Sequence, residues 1–236
     1  MCYNDNGDSL MKKIIRILLL LFFIMLLLFS GYNILNWKKE NNVVKEIVEH
    51  EEIRLIEEED NNYLDSEIEM DNENVVGWLI VDGTKINYPV LQYEDNEYYL
   101  NHDFNNQKNS AGWIFMDYQN QFSDQNIVIY GHHRRDGSMF GSIDDLYHIQ
   151  DDKEYNISFV TTTETIKYKI FSIYKIDSKD SYNELNFVDF PSKIKEFSER
   201  SEVDFHQDYY NAKQLITLST CHNNNIDRIV VHAFRN

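Results

Sequence analysis

The sequence predicts a mostly β domain, a closed barrel or a sandwich, preceded by a transmembrane helix. Three observations lead there. One long apolar run stands near the N-terminus, a polar and acidic stretch follows it, and after about residue 74 short runs rich in Val, Ile, Tyr, Phe and Thr recur between polar turns.

The 236 residues leave room for one ordinary domain plus extra segments. The apolar run holds 13 uninterrupted residues from Ile17 to Phe29, and 22 when counted from Ile14 to Leu35. A helix needs roughly 20 residues to cross about 30 Å of hydrocarbon, so the longer count spans. Arg16 can snorkel toward headgroups, and Tyr32 and Trp37 suit the far interface. A cleaved signal peptide has a shorter apolar core and an A-x-A-like cleavage site, and no such site follows this run. Residues 1–13 therefore read as a short cytoplasmic N-terminus and 14–35 as an uncleaved anchor. Lys12, Lys13 and Arg16 before the span, against Lys38 and Lys39 after it, put the N-terminus inside and the bulk of the chain outside.

Residues 36–73 are polar and acidic, with the run EEED at 57–60. Val43, Val44, Ile47, Val48, Ile53, Leu55 and Ile56 make a partial helical stripe, and the clean heptads of a coiled coil are absent. The expectation is a helical stalk that lifts the next domain off the membrane. The net charge is −18; residues 1–37 sum to +1, so the remainder carries −19. That balance excludes a nucleic-acid binder, which needs a basic face for phosphates, and a polybasic lipid attachment. Acidic surfaces also serve solubility alone.

From 74 to 236 the candidate strands are 75–81 (VVGWLIV), 86–91 (INYPVL), 112–116 (GWIFM), 126–131 (NIVIYG), 155–161 (YNISFVT), 165–176 (TIKYKIFSIYKI), 214–220 (QLITLST) and 228–234 (RIVVHAF). Eight strands in one domain are the basis for a barrel or a sandwich. The stretch 191–200 (PSKIKEFSER) reads as a helix, with Pro191 in its first turn and Ile194 and Phe197 three apart.

Cys2 falls on the inner side of the span and Cys221 on the outer, so the two cannot pair. An unpaired cysteine in an extracytoplasmic domain is unusual, because such cysteines are normally bridged. Cys221 closes the run LITLSTC and opens the polar loop HNNNID; Arg228 starts the next strand, and His132 ends the run NIVIYGH. Paired as a hairpin, the last two strands bring Cys221 and Arg228 together across its mouth. A thiol of pKa near 8.5 is mostly protonated at neutral pH, and a neighbouring imidazolium or guanidinium stabilises its thiolate. The His can protonate a departing amine, and Arg suits an oxyanion or a substrate carbonyl. The trio describes acyl transfer through a thioester.

Duller roles exist for each: an inert buried Cys, a structural His132 beside His133, a surface Arg228 paired with Asp227. Zinc binding by His132, His133, Cys221 and His222 lacks any C-x-x-C or H-x-x-x-H spacing, and adjacent His residues on an extended chain point apart. A papain-like peptidase carries its Cys before its His, the reverse of the order here. The alternative from another class is a non-catalytic, membrane-anchored surface-binding module, in which Cys221 is an ordinary thiol.

These residues resemble the sortase family. TLSTC at 217–221 followed by Arg228 is similar to that family's signature around the nucleophile, and IYGHH at 129–133 to its histidine segment. VVGWLIVDGTKINYPVLQ at 75–92, YYLNHDFNNQKNSAGWIFMD at 98–117 and GHHRRDGSMF at 131–140 resemble class B members. The likeness covers roughly 74–236. It implies an eight-stranded sortase β-barrel, with helices added at the N-terminus and one near 191–200. It also implies a transpeptidase that cleaves a C-terminal sorting motif after Thr. Cys221, His132 and Arg228 map to the catalytic residues, and Ser219 and Thr220 to the border of the substrate groove. The implied partners are surface proteins bearing the motif and a peptidoglycan amine, met at the outer face of the cell membrane. No metal or cofactor is expected. His222 stands where class B members often carry an acidic residue, so an acidic contact to substrate is in doubt at that position.

Overall fold

The structure is a computed structural model, and it describes residues 5–60, 72–149, 153–221 and 227–236. The chain divides into two compact units, 1–43 and 44–236.

One helix, α1 (Asp5–Asp60), carries the whole apolar run and most of the acidic stretch. Its portion from Met11 to Glu49 is long and apolar enough to cross a membrane, and the apolar stretch is not buried by protein. The apolar side chains from Ile14 to Leu28 are 43–73% exposed. Of the stalk expected over 36–73, the part up to Asp60 lies in α1, residues 61–71 lie outside the described part of the chain, and residues 72 and 73 are not helical.

The eight expected strands all form: β1 (Val75–Val81), β2 (Asn87–Leu91), β3 (Phe115–Met116), β4 (Asn126–His132), β5 (Asn156–Val160), β6 (Thr165–Asp177), β7 (Gln214–Cys221) and β8 (Asp227–Arg235). They close into a barrel in the order β1-β2-β3-β4-β7-β8-β6-β5, which decides between the barrel and the sandwich. Closure leaves no long open sheet edge. The third strand is far shorter than the run GWIFM: only Phe115 and Met116 pair, since Gly112 takes a positive φ of 61° and cannot continue an extended ladder.

Strand β6 is long enough to serve two neighbours. Its first half pairs with β5, its second half reaches down β8 to Asp227, and a register shift between Ile170 and Ser172 accommodates the turn of the barrel wall. Strand β7 lies between β4 and β8, parallel to the first and antiparallel to the second. All its residues from Gln214 to Thr220 are buried, as expected of a strand covered on both faces.

Outside the barrel wall, α2 (Phe190–Arg200) supplies that cover. Asp189 caps it by accepting from the Ser192 amide at 3.1 Å, and Pro191 sits in the first turn, where a missing N–H costs nothing. Ile194 and Phe197 pack with Phe171, Tyr174, Tyr182, Leu215, Val230 and Phe234 in one buried cluster. At its centre His232 is fully buried, its ring stacked on Phe197 at 3.8 Å. Its Nε2 pairs with the Tyr174 hydroxyl and its Nδ1 with the Thr217 hydroxyl, both at 2.8 Å. Thr217 in turn donates to Asn126 Oδ1 at 2.7 Å.

Burial holds the His232 imidazole neutral well below the usual histidine range, and the Arg200 and Lys193 cations push the same way. In the unfolded chain the same ring takes up a proton near pH 6.5. The unfolded state thus binds the extra proton below that value, so this contribution to stability is complete above about pH 6.5 and is lost as pH falls. Denaturant unfolding of the full chain, followed by tryptophan fluorescence at pH 7 and pH 5, should show the barrel less stable at pH 5. The slope contributed by this group approaches about 1.4 kcal/mol per pH unit. His232→Gln should reduce the slope while lowering stability at pH 7; an unchanged slope would remove His232 from the account.

Candidate active site

The order β4-β7-β8 governs the site. In the parallel β4–β7 ladder each residue from Asn126 to His132 faces one from Leu215 to Cys221, and the last pair is His132 with Cys221. Neighbouring strands lie about 4.8 Å apart, so these two backbones are immediate neighbours. On the other side, the antiparallel β7–β8 ladder ends at Ser219 and Val230. Carrying its register on by two residues sets Arg228 opposite Cys221. One end of three adjacent strands thus collects the three candidates that 89 and seven residues of sequence separate.

Thr220 opens the hairpin mouth. Its Oγ1, in place of a ladder carbonyl, accepts from the Ile229 amide at 2.9 Å. Its own carbonyl accepts from Arg228 Nη1 at 3.2 Å, which holds the half-buried guanidinium beside the backbone just before Cys221. Ser219 and Thr220 are both completely buried, and the Ser219 hydroxyl donates to the Tyr182 hydroxyl at 2.9 Å. Tyr182 belongs to the segment that leaves β6 at the same end of the barrel and also feeds the cluster under α2.

The two adjacent histidines part company. His132 Nε2 lies 2.7 Å from the Leu100 carbonyl, whereas His133 Nε2 lies 2.7 Å from Asp144 Oδ2. Asp144 sits in a 3-10 turn (Ile143–His148). The opposed directions follow from alternation along an extended chain. Gly131, before them, faces the Phe140 ring so closely that a Cβ there would lie 2.9 Å from it. The loop after His133 folds back, with the Phe140 amide donating to the His132 carbonyl at 3.0 Å, which fixes the backbone at His132. Among the described residues no group of three or more His, Cys, Asp or Glu side chains is arranged to hold a metal ion. His222 lies outside the described residues.

The sortase domain family signature matches residues 79–236, more than half of the chain. The chain belongs to the sortase family.

Members of that family are cysteine transpeptidases, and the relatives are of class B. Sortase B of Listeria monocytogenes is 35% identical over 160 residues, 64% of this chain and 63% of the relative, so the match spans less than two thirds of that protein. Sortase B of Staphylococcus aureus is 34% identical over 175 residues, covering 70% of this chain and 72% of the relative. Among solved structures, a Staphylococcus aureus sortase B–substrate complex superposes with a TM-score of 0.71 at 28% identity, over 85% of this chain and 97% of that one. Clostridium perfringens sortase B gives a TM-score of 0.62 at 31% identity, over 69% and 94% of the two chains.

Two features of this sortase site carry no sequence signal. The Leu100 carbonyl is a backbone group, and any residue at position 100 supplies one. Gly112, packed against the Leu100 carbonyl, could be singled out only as a glycine beside the run WIFM.

Proposed function

We propose that the chain is a membrane-anchored sortase that cleaves a C-terminal sorting motif after Thr and transfers the protein to a peptidoglycan amine. The observation that carries the reading is the convergence of β4, β7 and β8, which gathers His132, Cys221 and Arg228 at one barrel end. The Cys221 thiolate attacks the Thr carbonyl carbon, forming a C–S bond and an oxyanion. Arg228 stabilises that oxyanion. The C–N bond breaks as His132 gives a proton to the departing amine, leaving a thioester. The incoming amine then attacks the thioester, loses a proton to His132, and expels the thiolate.

In this reading Ser219 and Thr220 support the groove from beneath. Their side chains are buried and their hydroxyls engaged, and Thr220 acts through the carbonyl that holds Arg228. His133 is a structural partner of Asp144. The apolar portion of α1 over 14–35 is the anchor, with the N-terminus inside and the barrel outside. The likeness to a sortase B solved with its substrate supports a peptide as the ligand.

The test is mass spectrometry of the full chain in detergent with Pro-x-Thr-containing sorting peptides and a nucleophilic amine. Cleavage after Thr, a mass adduct on Cys221 and transfer to the amine are expected. Folded protein that forms no adduct and cleaves nothing across a broad peptide set would favour the surface-binding module.

A further inference from the structure

We infer that the loop between β2 and β3 is a positioning device for His132: the Leu100 carbonyl and the bare Cα of Gly112 together fix which ring nitrogen carries the exchangeable proton. The inference deepens the transfer reading above, and its kinetic arm rests on that reading.

A carbonyl oxygen only accepts. The 2.7 Å contact between Leu100 O and His132 Nε2 therefore requires a hydrogen on Nε2. With Nε2–H committed, Nδ1 is the nitrogen that gains and loses a proton as the ring changes charge. The contact suits both states, since Nε2 is a donor in the neutral and the charged ring, so the ring need not turn during a proton transfer.

The loop is built to hold that carbonyl still. A 3-10 turn (Tyr98–Leu100) is closed by Leu100 N donating to the Glu97 carbonyl at 3.1 Å and Asn101 N to the Tyr98 carbonyl at 3.3 Å. The Tyr99 carbonyl accepts from Trp113 N at 2.8 Å, which ties the turn to the start of β3. The Tyr99 ring is buried, and its hydroxyl bonds Asn74 Nδ2 at 2.9 Å and Asn106 Oδ1 at 3.2 Å. His102 Nδ1 lies 2.8 Å from the Tyr98 carbonyl while its ring stacks on Tyr98 at 4.1 Å.

Gly112 closes the remaining side. A Cβ at this position would lie 2.6 Å from the Tyr99 carbonyl oxygen, 2.9 Å from the Leu100 carbonyl oxygen and 2.9 Å from His132 Cδ2. The first two are backbone atoms that cannot swing away, and Cδ2 is the ring carbon next to Nε2. Its φ of 61° adds a second reason for glycine. Any side chain at 112 must displace either the carbonyl or the ring edge bonded to it.

The test is nitrogen NMR of the full chain in detergent, with ¹⁵N-labelled histidine and the His132 signals assigned by their loss in His132→Asn. The neutral ring should be the Nε2–H tautomer, with Nδ1 as the titrating nitrogen. An Nδ1–H tautomer, or an even mixture, overturns the inference. Gly112→Ala should broaden the ring signals into both tautomers and lower kcat for transfer by ten-fold or more with little change in KM. Folded Gly112→Ala with an unchanged tautomer and unchanged kcat removes Gly112 from the device. Should Gly112→Ala fail to fold, the wild-type spectrum still decides the role of Leu100. A chain that shows the Nε2–H tautomer but transfers no peptide keeps the positioning device and loses the transfer reading.

Discussion

Cys221→Ala is expected to leave no thioester and no transfer, while the barrel unfolds at the same denaturant concentration as the wild type. Loss of a covalent nucleophile typically removes about 10⁶-fold in rate, which here means no signal above background. The stability half of the expectation follows from position. Cys221 is the last residue of β7, its backbone held in the ladder with β4, and Ala keeps that backbone unchanged. His132→Ala differs in kind. The thiol and Arg228 remain, but the imidazolium that pairs with the thiolate and protonates the leaving amine is gone, so a loss of about 10²- to 10⁴-fold is expected at neutral pH. Part of that loss should return toward pH 9, where a thiol of ordinary pKa near 8.5 ionises unaided. Mass spectrometry of the acyl adduct and rates of transfer across pH 6–9 check both variants. Persistent acyl adduct in Cys221→Ala would overturn the assignment of the nucleophile.

Arg228→Lys carries the second large effect, although it keeps the charge. The guanidinium is pinned at one edge by the Thr220 carbonyl, with Nη1 to O at 3.2 Å, and in the proposed mechanism its other donors meet the reacting carbonyl. A lysine ammonium on a flexible stem cannot bond Thr220 and present a second, fixed donor in the same plane. Removing one oriented oxyanion donor costs about 10²- to 10³-fold in kcat. Arg228→Lys should fall in that range with KM little altered, because the interaction strengthens in the transition state. Arg228→Ala should fall at least as far. A Lys variant that retains wild-type kcat would reduce Arg228 to a source of positive potential, and a pure KM effect would make it a peptide-binding residue.

Much of the fold was legible because local chemistry and tertiary environment agree. The run TIKYKI alternates and opens the shared strand β6; PSKIKEFSER has its proline, its apolar pair and its basic last turn in helical positions, and forms α2. The run GWIFM misled about length. Its apolar content predicts five strand residues, but Gly112 serves the His132 surroundings with a positive φ and only Phe115 and Met116 pair. Local propensity yields where a glycine is needed for close approach.

By itself the sequence determined the separate long apolar segment, the eight β-forming runs, the helix at 191–200 and the residue types that make thioester chemistry possible. Apolar length, alternation, proline placement and thiol acidity are properties of a residue and its near neighbours. Only the tertiary structure decided the strand order that sets β7 between β4 and β8. That order turns His132, Cys221 and Arg228 from three strand-end residues into neighbours. It alone also decided that His133 turns to Asp144, and that a backbone carbonyl and a missing Cβ, at Leu100 and Gly112, enclose one edge of the His132 ring. Pairing across a barrel is settled by which long-range contacts close the wall, and backbone groups are the same at every residue, so neither leaves a mark that a single sequence can display.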